Sequence, residues 1–111
     1  MRAHRCVISL TALWASACVT LPQPTPADVL VANQKWPEAN LETLQAGRKA
    51  LVARCSGCHT VPLPSEFSPT EWLPILADMH EEAHVTEADR VLIDQFVLTL
   101  SESYRRNGAN K

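Results

Sequence analysis

The sequence predicts an all-α protein, and three observations predict it. Apolar residues recur three and four apart in three separate segments, those segments open on helix-capping residues, and no alternating strand pattern occurs anywhere. At 111 residues the chain has room for one small domain.

Asn40 stands where it would cap a helix of about Leu41 to Arg54, with Leu44, Gly47 and Leu51 on one face. A glycine inside a helix costs about 1 kcal/mol relative to alanine. Gly47 therefore implies a neighbour packed too closely for a side chain. The second helix begins at Ser68-Pro69-Thr70-Glu71, which supplies a cap, a proline at the first helical position and a glutamate three after the cap. Trp72, Ile75, Leu76 and Met79 then share its apolar face. Thr86-Glu87-Ala88-Asp89 opens the third, where Ala88, Leu92, Phe96 and Leu100 form a stripe that Ile93 and Val97 widen.

The ends read differently. Met1 to Arg5 is short and basic, and Cys6 to Ala17 is uncharged and mostly apolar. That run suits a secretory signal and is too short to span a bilayer. Ala15-Ser16-Ala17-Cys18 looks like a bacterial lipoprotein cleavage site, with Ala15 where the usual pattern has leucine. On this reading Cys18 becomes the lipid-bearing first residue; the alternative is plain cleavage after Ala17. Prolines 22, 24 and 26 make 18–35 a stiff, extended tether. Trp36-Pro37 marks the edge of a domain at 36–105, and 106–111 reads as a frayed tail.

Removing 1–17 takes away Arg2 and Arg5, leaving eight basic residues against twelve acidic ones, a formal charge of −4. Such a surface argues against a nucleic-acid partner. Of the four cysteines, Cys55 and Cys58 remain once Cys6 is removed and Cys18 lipidated, so this is no disulfide scaffold. A core of roughly seventy residues is marginal without a staple.

The staple is implied by Arg54-Cys55-Ser56-Gly57-Cys58-His59-Thr60. Structural zinc takes four ligands, commonly from two separated pairs, and with 1–17 removed and Cys18 lipidated only His80 and His84 lie beyond the motif. A redox Cys-x-x-Cys belongs with alternating strands and helices, and has no call for His59. Covalent haem accounts for the whole stretch. Cys55 and Cys58 form thioethers with the vinyl groups, Ser56 and Gly57 set the turn between them, and His59 is the proximal iron ligand. The expected cofactor is one haem c.

With those residues in place, the chain resembles the single-haem class I cytochrome c family over about Trp36 to Tyr104. The closest likeness is to short bacterial haem lipoproteins, through Trp36-Pro37, Leu44, Gly47-Arg48, Cys55-Ser56-Gly57-Cys58-His59, Pro64, Glu71-Trp72, Met79 and Ala83. The resemblance implies a small cytochrome c-like fold, three main helices around one haem, with Phe96 packed on Gly47. It also implies Met79 as sixth ligand and the Pro64 carbonyl, rather than that of Pro62, as acceptor for His59. The interval from His59 to Met79 is only 20 residues, which leaves a more exposed haem edge than in larger relatives.

Met79 is the only methionine left after export, and it lies on the Trp72 face. His80 and His84 are its chemical rivals: His80 reads as part of a solvated face with Glu81 and Glu82, while His84 sits between two helices and swings inward if the connection bends. Trp72 reads as a haem contact, and Arg48 and Arg54 as propionate partners or solvated cations. The resulting expectation is an electron carrier, not an enzyme, on the periplasmic face of a bacterial membrane through a lipid on Cys18, or soluble in the periplasm without it. Its partners are redox proteins that bind transiently. The alternatives are a haem sensor or small-ligand binder with an open sixth site, and a haem subunit of a larger redox enzyme.

Overall fold

The three longer helices begin where a side chain accepts one of their unpaired backbone N–H groups. The computed structural model describes residues 20–55 and 60–109. Its elements are α1 (Pro26–Ala32), α2 (Leu41–Cys55), a 3-10 turn (Pro64–Glu66), α3 (Pro69–Glu82) and α4 (Glu87–Ala109), with no strand among the described residues. The protein is all-α there, as the periodicity predicts.

At α2, Asn40 Oδ1 accepts the Thr43 N–H while the Thr43 hydroxyl accepts the Asn40 N–H, both at 3.0 Å. At α3 the Glu71 carboxylate accepts the Ser68 N–H at 2.9 Å and the Ser68 hydroxyl at 2.7 Å. Those bonds hold the Glu71 carboxyl below its ordinary range. The expected starts of both helices are therefore made by the expected residues.

α4 is the central element. It packs against α1, α2, α3 and the 3-10 turn. Ile93, Phe96, Val97 and Leu100 enter the core, and Ile93 and Phe96 are fully buried. Ala88, expected on the stripe, is exposed, and Leu92 is half-buried. From Gln95 to Ser101 every residue is buried, which a helix with one apolar stripe would not show.

The cause is α1, which corrects the tether expected over 18–35. Residues 26–32 form a helix rather than a spacer because Pro26 stands at the first helical position, where its missing N–H is harmless. Asp28 accepts the Thr25 N–H at 2.7 Å and the Thr25 hydroxyl at 2.9 Å, which closes the first turn. α1 packs on α4, and the side-chain amide of Asn33 ties the following turn together by donating to the carbonyls of Trp36, Pro37 and Ala39. The packed body thus begins near Leu21, not at Trp36.

The tail expected over 106–111 is likewise corrected, since α4 continues to Ala109. Glu102 receives Arg105 and Arg106, each at 2.7 Å, and Arg106 also donates to Gln34 beyond α1. No helix of the described residues is long and apolar enough to cross a membrane. The expected signal (1–17) and lipidation site (Cys18) lie outside the described residues.

Candidate functional site

The crossing of α2 and α4 fixes where Cys55 lies. Gly47 and Leu51 are buried on the face of α2 that meets α4, and Cys55, one turn on from Leu51, is buried at the helix's last residue. A Cβ on Gly47 would overlap the Leu92 carbonyl and stand 2.8 Å from Phe96 Cβ. The glycine is there because backbone meets backbone. Ser56, Gly57, Cys58 and His59 lie outside the described residues.

α3 brings Trp72, Leu76 and Met79 into the same apolar cluster as Leu51, Cys55, Ile93 and Phe96. Trp72 is 1% exposed and Met79 9%. Trp72 is locked by its indole N–H, which donates to the Pro64 carbonyl at 2.9 Å, and by the ring of Phe67, edge-on at 5.3 Å. The Pro64 carbonyl expected to serve His59 therefore holds Trp72. A carbonyl has two lone pairs, so one donor leaves the second available.

His80 is a correction. It is 4% exposed rather than part of a solvated face. Its Nε2 lies 2.7 Å from Asp94 Oδ1 on α4, and its Nδ1 is buried without a partner among the described residues. A step of one residue turns a side chain about 100° round a helix. Met79 and His80 thus straddle the side of α3 that α4 covers, and Asp94 makes burial of the imidazole tolerable.

His84 does not swing inward. It is exposed, with φ of 51°, because it occupies the left-handed position just past the end of α3. The His84 N–H bonds to the Glu81 carbonyl at 3.2 Å and the Val85 N–H to the His80 carbonyl at 3.0 Å, the paired bonds of a Schellman ending.

The arginines also have other partners than those considered from sequence. Arg48 donates twice to the Leu21 carbonyl, at 2.9 and 3.2 Å, joining α2 to the chain before α1. Arg54 pairs with Asp89 at 3.1 Å across α2 and α4.

What these residues suit chemically follows from the donor set. A buried thiol-bearing residue at a helix end and a buried thioether share one apolar cluster with an indole. In such a low-dielectric setting a thioether is a soft donor to a metal centre and a cysteine a point of covalent attachment. Among the described residues no three His, Cys, Asp or Glu side chains gather as a metal site. Sequence reasoning missed Asp94, which differs from any helical surface acid only through its partner on another helix. No family model, curated protein or solved structure matches the chain.

Proposed function

We propose that this protein is a single-haem c-type cytochrome that passes one electron at a time between redox proteins in the bacterial cell envelope. In this reading α2, α3 and α4 are the three main helices around the haem, and a lipid on Cys18 holds the protein to the periplasmic face of a membrane. Cys55 and Cys58 would carry the group as thioethers, and His59 and Met79 would be its axial ligands.

The observation that carries the reading is the shared burial of Cys55 and Met79 in one apolar cluster, from a motif cysteine on α2 and the sole mature methionine on α3. Of the three side chains weighed for the sixth position, His84 is exposed at a helix ending and His80 turns its Nε2 to Asp94, and the burial of Met79 in the Cys55 cluster favours Met79. When bound, the haem supplies a ferric–ferrous couple, with no bond made or broken in a partner. The chain's own residues set the conditions for it. Trp72, Leu76 and Phe96 exclude water, which disfavours the more charged oxidised state, and the neutral thioether of Met79 acts in the same direction. With both axial positions filled, no position is left for a substrate, so this reading is of a carrier rather than an enzyme.

The test is haem attachment on export in a host that matures c-type cytochromes. The wild-type chain should retain haem through denaturing electrophoresis, and the Cys55→Ala/Cys58→Ala double variant should not. A wild-type chain that takes up no covalent haem overturns the proposal.

A further inference from the structure

We propose that His80 and Asp94 are a positioning pair: their hydrogen bond fixes the last turn of α3 on α4 and so holds the Met79 thioether in place. This rests on the reading of Met79 as an axial ligand.

α3 lacks one of its internal backbone bonds. Pro74 lies inside it, so the Thr70 carbonyl loses its helical partner there. Two interactions pin the helix from outside, one near each end. Near the start, the Trp72 indole N–H bonds to the Pro64 carbonyl at 2.9 Å, fully buried. Near the end, His80 meets Asp94 at 2.7 Å. The Met79 side chain has only a weakly accepting thioether with which to fix itself, and it directly precedes His80. Both backbone carbonyls are used in the helix ending, that of Met79 by the Ala83 N–H and that of His80 by the Val85 N–H, but only His80 is also held through its side chain. The side chain of Met79 therefore takes its position from its neighbour.

The pair is also open to disturbance. His80 and Asp94 line a groove of about 270 Å³ between α3 and α4, together with Leu76, Glu87, Arg90 and Val91. The Asp94 side chain is 37% exposed and that of His80 5%. Remove the Asp94 acceptor and the imidazole is left buried with neither nitrogen bonded, since Nδ1 already has no partner among the described residues. A buried polar group in that state moves toward solvent. Rotation of α3 to expose His80 would carry Met79 away from the Cys55 cluster. The pair thus ties a polar contact on one side of α3 to a ligand on the other.

The experiment uses the full, haem-loaded chain and reads two properties besides electron transfer: the rate at which the ferrous protein binds carbon monoxide, and the long-wavelength ferric absorption of methionine–iron ligation. Asp94→Leu and His80→Phe break the bond from opposite ends while keeping apolar bulk. Each should speed carbon monoxide binding roughly ten-fold or more and weaken the ferric band, as loss of a buried hydrogen bond worth about 1.4 kcal/mol implies. Asp94→Asn keeps an acceptor oxygen and should stay near the wild-type rate. Glu102→Gln weakens the bonds from Arg105 and Arg106, so it lowers stability away from the pair and should leave both readouts unmoved. Wild-type rates and an intact band in whichever of Asp94→Leu and His80→Phe folds overturn the proposal. A chain without haem overturns the reading beneath it instead, and a haem protein without the methionine band overturns the ligand assignment.

Discussion

Gly47 and Phe96 are in contact where α2 crosses α4, and the contact admits no side chain at position 47. A Cβ there would stand 2.8 Å from Phe96 Cβ and overlap the carbonyl oxygen of Leu92. Neither can yield, since the Leu92 carbonyl is part of the backbone of the central helix and Phe96 Cβ is bonded directly to that backbone. The crossing is thus set by main chain, and Cys55 lies two turns beyond it on the same face. Gly47→Ala gains about 1 kcal/mol of helix propensity on its own. Overpacking against a backbone that cannot yield should reverse the sign, for a net loss of about 2 kcal/mol. Denaturant midpoints at constant slope would measure it. A stabilised variant would show that α2 and α4 separate more easily than this geometry allows.

His84 should be replaceable with a gain. Its φ of 51° is a conformation that costs a side-chain-bearing residue about 1 kcal/mol or more, and it is exposed with nothing to lose. His84→Gly should stabilise by about 0.5 kcal/mol after allowing for the greater entropy of glycine in the unfolded chain. Thermal unfolding would show a rise of a few degrees. Spectrum and redox behaviour should be unchanged, since this side chain has no part in the site.

Glu102 gives the fold a defined acid sensitivity. Hydrogen bonds from Arg105 and then Arg106 lower its carboxyl from 4.5 to about 2. A depressed folded-state pKa adds stability that is fully present above the unfolded value and is lost as pH falls through the folded one. Glu102→Gln should therefore cost a constant amount above about pH 4.5, with the difference from wild type vanishing toward about pH 2. The arginine side chains are 60% and 41% exposed, so solvent screening limits the cost to about 1 kcal/mol or less. A difference that does not vary with pH would mean that packing, not charge, is what the variant removes.

Local chemistry made much of this structure legible. Asn40 and Ser68 begin their helices through bonds to Thr43 and Glu71, and Gly47 announces a close crossing because a glycine in mid-helix is otherwise a cost. What stayed hidden depends on neighbours distant in sequence. The three prolines before Trp36 argue for an extended chain, yet Pro26 starts α1, and only the seat on α4 makes a helix of 7 residues worth forming. That seat in turn explains the buried Gln95 and Thr99, which no stripe of apolar residues foretells. His80 beside Glu81 and Glu82 reads as surface until Asp94 is seen across from it. The chemistry of the motif rests on the sequence alone, since its residues from Ser56 to His59 lie outside those described.

Met79→Ala separates a carrier from a ligand-binding sensor. Met79 is 9% exposed within the cluster that contains Cys55 and Trp72, and no other methionine remains once the first is removed. On the proposed reading the variant should keep its haem, because attachment would depend on Cys55, Cys58 and His59. Its reduction potential should fall, since a thioether favours the reduced state and a water or histidine in its place does so less. Carbon monoxide and cyanide should bind far faster than in wild type, while His84→Ala should change neither property. His80 variants are not neutral controls here, because they are expected to disturb Met79 indirectly; Met79→Ala itself decides. If it leaves spectrum and potential as they were, a histidine is the sixth ligand. If wild type already binds carbon monoxide as fast as the variant, the sixth position is open, and a sensor is the better reading.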